Sequence, residues 1–310
     1  MTDWQTTPLL LVRDLVSDGY SDAQVATRVA GMHRLRRGVY VAREPAAAEH
    51  RHLLHARAVL ATHDDRVVMS HVTAALLWDF PVMMSTPGPV TVSRIGDLTT
   101  PHRRHHGVWV CGSVLPRRDV QIRHGLRVTS SERTVLDCAR YLPYRVGLAV
   151  ADAAAHNNQL QWRTVERILS QMKGWKGIGR ARQVLAHLDP KAESPGETWT
   201  RDVLTKAGFR VESQFAVRHH GDFVGRADFR ICESRVLVEF DGSTKYGLTD
   251  DSPREMLWRE KVRHDALVRA GYEVVRLTWT DLAQPAQVRV TIREALNRAD
   301  TRRLTSPWQM

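Results

Sequence analysis

The stretch GRADFRICESRVLVEFDGSTKYG, residues 225–247, decides how the second half of the chain reads. GRADFRI alternates and RVLVEFDG is nearly continuous in apolar residues, so both predict buried strands. Three carboxylates interrupt them: Asp228, Glu239 and Asp241. A carboxylate inside a sheet is costly unless it is paired or binds a cation. Glu239 and Asp241 stand two apart on one strand and project to one face. A hairpin returns Asp228 beside Glu239. Such an oxygen-rich strand end suits Mg²⁺ (or Mn²⁺), which favours carboxylates together with phosphate oxygens. The ion would polarise a phosphodiester and help generate hydroxide. The plainer reading is a solvated strand end, with Asp241 serving as a helix N-cap.

Working outward, SPGETWTRDVLTKAGF predicts a helix with Ser194 at its cap, Pro195 in its first turn and Gly208 at its end. FRVESQFAV reads as a strand, REMLWREKVRHDALVRAGY as a helix, YEVVRLTW as a strand and Gln284–Ala299 as a last helix. The order is α-β-β-β-α-β-α. Glu197, in the first turn, either stabilises the helix dipole or completes the cation shell. Lys245 and Lys261 are either surface charges or cations that neutralise charge developing in a reaction. PKAESP, ending at Pro195, marks the boundary of a domain over 191–300, followed by a frayed tail over 301–310.

The first 48 residues predict helix, turn, helix and strand. Leu11, Leu15 and Val16 recur at helical spacing up to Gly19, and Ser21 caps a second helix through Val25 and Val29. A basic tip, Arg34 to Arg37, precedes Gly38 and the strand Val39–Val41. This is the layout of a small winged helix-turn-helix, or of an ordinary helical hairpin with a solvated basic turn. In the first case Arg34, Arg36 and Arg37 contact phosphates and position the protein on DNA.

Residues 49–190 predict a mixed α/β middle region. Helices are expected at Glu49–Thr62, in SHVTAALLWDFPV behind Ser70, in TSSERTVLDCARYLP behind Ser130 or Ser131, at Val146–Asn157 and at Trp162–Met172. PVTVSR and VWVCGSVL predict strands. Gly174, Gly177 and Gly179 lack a preceding strand and a following Lys-Ser/Thr, so they read as a turn and not as a phosphate loop. His102, His105 and His106 have metal-like spacing but lie in an arginine-rich loop without acids, which favours a solvated loop, as for His219 and His220. Trp258 and Trp279 read as packing residues or as base-stacking ones.

The formal charge of +11 favours polyanionic partners, with DNA the first expectation. Three isolated cysteines make neither a disulfide framework nor a zinc site. No apolar run approaches the ~18 residues of a membrane span, and the start lacks a basic signal-peptide region, so no membrane association and a cytoplasmic location are expected. No serine–histidine–aspartate or cysteine–histidine arrangement stands out, and no nucleophilic catalysis is expected.

Asp228 and Glu239-Phe240-Asp241 in this element order resemble the PD-(D/E)xK nuclease superfamily. EFDGSTKY followed by REKVRHDALVRAGYEVVRLTW is similar to its very-short-patch-repair (Vsr-like) endonuclease branch, over about 190–285. The resemblance implies an endonuclease acting on DNA, with Asp228 and Glu239 as metal ligands and Glu197 as the helix carboxylate; a nuclease acting on RNA is a separate alternative. Asp241 stands where the family has its lysine, and Lys245 where relatives often place a histidine. Residues 8–45, ending RLRRGVYV, resemble the winged-helix domain of AbiEi-type antitoxins, and SHVTAALLWDFPV and GLRVTSSERTVLDCAR resemble the segment after it. That resemblance implies repression of a toxin–antitoxin operon and a toxin partner of nucleotidyltransferase type. Taken together, an α+β multidomain chain is expected, either an endonuclease linked to toxin–antitoxin or phage-defence systems or a non-catalytic repressor keeping an inactive nuclease fold.

Overall fold

The computed structural model describes residues 3–84, 87–96, 103–105, 107–112, 114–242 and 253–305. Lys245, His102 and His106 lie outside them. The chain divides into two units, Met1–Leu188 and Asp189–Met310.

The first unit opens with helix α1 (Asp3–Thr6), strand β1 (Leu10–Leu11), helices α2 (Val12–Ser17) and α3 (Asp22–Val29), and a hairpin of β2 (His33–Arg36) and β3 (Val39–Val41). The three strands form an antiparallel sheet in the order β1-β3-β2. Ser21 caps α3 as expected, in a reciprocal box with Gln24 that satisfies two backbone donors. Val16 departs from the expected apolar face: it is 54% exposed, and α2 has no buried residue. The expected basic tip is mostly strand, because Arg34 and Arg36 lie on β2 and only Arg37 and Gly38 make the turn.

Helix α4 (Ala48–Ala61) ties these elements to the rest of the unit. Arg57 Nη1 donates to the carbonyls of Trp4 and Thr7 at 2.6 and 2.8 Å. Glu44 meets His33 at 3.0 Å and His55 at 3.1 Å, joining β2 to α4. Beyond α4 come β4 (Val67–Met69), α5 (His71–Leu77), β5 (Val90–Arg94), β6 (Arg103–His105), β7 (Val108–Val110), β8 (Val120–Arg123) and β9 (Leu126–Thr129). They build a six-stranded mixed sheet in the order β6-β7-β5-β4-β9-β8. Helices α6 (Ser131–Tyr141), α7 (Tyr144–His156), α8 (Trp162–Gln171) and α9 (Ile178–Ala186) follow. Ser130 caps α6 by accepting from the Arg133 amide. Ser70 stands at the N-cap of α5 without capping it; its hydroxyl bonds Ser93 and His71 instead. The glycine-rich segment is a turn: Gly177 has φ +82°, and a Cβ there would lie 2.4 Å from the Arg140 carbonyl oxygen.

The second unit contains α10 (Pro195–Lys206), β10 (Val211–His219), β11 (Asp222–Ile231), β12 (Val236–Phe240), α11 (Pro253–Arg269), β13 (Glu273–Leu277), α12 (Trp279–Leu282) and α13 (Pro285–Thr305). The sheet order is β10-β11-β12-β13, antiparallel except for the parallel pair β12–β13. One face carries Phe229, Val236, Val238 and Leu277 in a core with α10, α12 and α13. The other packs Leu237 and Ala227 with Leu267 of α11 and Ala270 just after it. Both faces of β12 are thus covered, which explains its continuous apolar run. Trp279, expected in the last strand, begins α12, where Thr278 and Asp281 form a capping box. Helix α13 runs on to Thr305, into the segment expected to fray.

Candidate functional site

The first unit presents an exposed helix beside a cluster of arginines. Val25 alone of α3 is buried, so Ala23, Gln24, Thr27 and Arg28 face solvent. With Tyr20 they line a shallow concavity of about 520 Å³. From Arg28 to Arg43 the chain has five arginines and no acid. Arg28, Arg34 and Arg37 are exposed and join no ion pair among the described residues. Arg36 is different: it is half-buried, burial lowers its pKa, and its Nη1 has no hydrogen-bond partner among the described residues. Arg34 and Arg37 therefore present charge to solvent, whereas Arg36 is held against the fold. The sequence reading missed Gln24, Thr27 and Arg28, although their spacing with the buried Val25 marks them as the outer face of α3.

The second unit brings Asp228 and Glu239 to the ends of adjacent strands and gives Asp228, Glu239 and Glu197 partners within the fold. β11 and β12 pair with Phe229 opposite Val238, and one step further Asp228 adjoins the end of β12, where its Oδ2 accepts the Phe240 amide at 2.7 Å. Glu239 is almost fully buried, at 7% exposed. Its oxygens are gripped by the fork of Arg263, Nη1 to Oε1 at 2.6 Å and Nη2 to Oε2 at 2.9 Å. Arg276, its register partner on β13, stands 3.5 Å from Oε2. Glu197 accepts from Ser194 at 2.8 Å, from Gln214 at 2.7 Å and from the Glu193 amide at 3.0 Å. Asp241 is exposed, and its amide continues the ladder to Leu277. Lys261 is exposed on α11. Among the described residues no group of three or more His, Cys, Asp or Glu side chains is arranged to hold a metal ion. Arg263 and Arg276 were not legible as partners of Glu239, because Arg263 comes with the docking of α11 and Arg276 with the strand register.

The middle region has a third polar cluster, entirely buried. Asp137 lies between Arg133, Nε to Oδ2 at 2.8 Å, and Arg140, Nη1 to Oδ1 at 3.1 Å. Both guanidiniums also lie against the Trp175 ring, at 5.3 and 4.8 Å. Burial alone raises the Asp137 pKa, but Arg133, His71 and Arg140 outweigh it and hold the carboxyl below its ordinary value. His71 stands 4.0 Å from Asp137 and bonds Ser70 at 3.0 Å. Serine, histidine and aspartate thus meet, yet all three are at most 2% exposed, so no substrate reaches them. The cluster is structural.

Comparison with known proteins places this region. Residues 72–187 match the family described as AbiEi antitoxin C-terminal domain. The middle of the chain is therefore similar to that antitoxin domain. The match lies over strands β5 to β9 and helices α5 to α9; it begins after β4 and does not extend to residues 8–45 or to the second unit. Two uncharacterized proteins of Mycobacterium tuberculosis, one from each of two strains, are each 28% identical over 278 residues, covering 89% of this chain and 96% of the relative. No solved structure matches. No helix among the described residues is long and apolar enough to cross a membrane.

Proposed function

We propose that the chain is a DNA-binding antitoxin-type regulator whose second unit keeps a nuclease-like element order without serving as a hydrolase. The observation that carries this reading is the exposed face of α3 beside the arginine hairpin. The order helix, strand, helix, helix and two-stranded hairpin is that of a winged helix, with α3 in the reading position. In that role Arg28 reaches base edges, in the pairing with guanine that the major groove favours. Arg34 and Arg37 hold the phosphates alongside. The antitoxin-type middle region supports a toxin as second partner, and the resemblance makes a nucleotidyltransferase the candidate.

The test is a transcriptional reporter driven by the DNA upstream of the chain's own gene. Repression by the wild type that disappears in Arg34→Ala/Arg37→Ala supports the reading. Equal reporter output with and without the protein sinks it. Co-expression with a nucleotidyltransferase encoded beside it, followed by pull-down of the full chain, tests the partner.

A further inference from the structure

We infer that in the second unit an internal guanidinium, that of Arg263, occupies the place a divalent cation would need, so that this carboxylate cluster does not take up metal. The inference deepens the non-catalytic reading of that unit and is independent of DNA binding by the first.

The donor chemistry alone would suit a hard cation, since Asp228 and Glu239 approach one another at the end of adjacent strands. What decides against it is how those donors are already used. A carboxylate as buried as Glu239 needs a cation, and Arg263 supplies it in the planar fork geometry that matches a carboxylate best. Arg276 adds a second positive charge on the neighbouring strand. Both oxygens of Glu239 are thus already engaged, Oε1 by Arg263 and Oε2 by Arg263 and Arg276. Glu197 is likewise committed, to the first turn of its own helix and to Gln214.

The sheet is built to admit Arg263. Gly225, buried on β11, has no side chain, and a Cβ there would lie 3.8 Å from Arg263 Cγ and 3.7 Å from Leu267. The aliphatic stem of Arg263 crosses β11 over this glycine to reach Glu239 on β12. Leu267, one turn along α11, packs into the core on the same side. The fork is thus anchored by the helix as well as by its hydrogen bonds, so it is part of the fold.

Isothermal titration of Mn²⁺ into the full chain tests the inference, with Arg263→Met and Arg263→Met/Glu239→Gln as variants. Methionine keeps much of the stem over Gly225 and removes the charge, and circular dichroism checks that each variant is folded. The wild type is expected to show no Glu239-dependent Mn²⁺ binding. Arg263→Met is expected to bind Mn²⁺ at least about tenfold more tightly, a change equivalent to one charge-assisted hydrogen bond. The double variant is expected to lose that gain. Wild-type Mn²⁺ binding that vanishes in Glu239→Gln would overturn the inference, and so would an Arg263→Met variant as silent as the wild type. Promoter binding, measured on the same samples, fails or survives separately.

Discussion

Replacing Asp137 by alanine should cost the first unit far more than an ordinary core substitution. The carboxylate is fully buried, and the guanidiniums beside it, Arg133 and Arg140, are 2% and 5% exposed. In the variant Arg133 keeps the Val114 carbonyl and Arg140 the Lys176 carbonyl, and both keep the Trp175 ring. Their two positive charges then face each other without the Asp137 carboxylate between them. Breaking a buried pair by removing one partner typically costs about 3–5 kcal/mol. For a unit of this size each kcal/mol moves the melting midpoint by about 2–4 °C, so a fall on the order of 10 °C is expected. Differential scanning calorimetry of the full chain measures it, with the change confined to the transition of the first unit. Asp137→Asn, which keeps the shape, should fall between. The native carboxyl also makes the unit acid-sensitive. Its folded pKa is depressed, so its stabilisation is present above the ordinary carboxylate value and is lost as pH falls through the folded one. Asp137→Asn removes that loss. A midpoint shift below about 2 °C for Asp137→Ala would refute the reasoning, because it would mean the two guanidiniums do not depend on this charge.

His52 predicts a second acid effect. Burial lowers its pKa from 6.5 to about 4, so the unfolded imidazole takes up a proton that the folded one refuses. Stability should therefore rise with pH between about 4 and 6.5, by about 3 kcal/mol in all. Urea midpoints at pH 5 and pH 7 should differ less in His52→Gln than in the wild type. Gly177→Ala places a side chain at φ +82° against the Arg140 carbonyl and should cost at least about 2 kcal/mol, whereas Gly174→Ala, with nothing within 4 Å, should cost less in the same urea titration. On the DNA surface, Arg28→Ala should lower discrimination between upstream and unrelated duplex by about 1–3 kcal/mol, measured by competition.

Local signals carried much of this architecture. Ser194 and Pro195 announce α10, Ser21 announces α3, and the continuous run in β12 follows from its two covered faces. β4 was missed because three residues are too few for a period. The turn of the chain into α12 was legible in retrospect, since Thr278 and Asp281 have capping spacing that the apolar run into Trp279 masked. Of the site, Asp228 and Glu239 were recognisable as neighbours across a hairpin. Their present partners were not, because Arg263 and Arg276 come to Glu239 only through parallel pairing and the packing of α11. Buried Asp137 escaped notice for a related reason. Its arginines lie one turn away on the same helix, a pattern that on an exposed helix would mean little.

The claim that the first unit reads DNA is tested most directly by fluorescence anisotropy on a duplex from upstream of the chain's own gene, titrated across a range of salt concentrations. The account predicts that the wild type prefers this duplex over an unrelated one. Arg34→Ala and Arg37→Ala should each weaken both complexes and reduce the salt slope by about one. Equal affinity for both duplexes, or a salt slope that neither substitution changes, would contradict it.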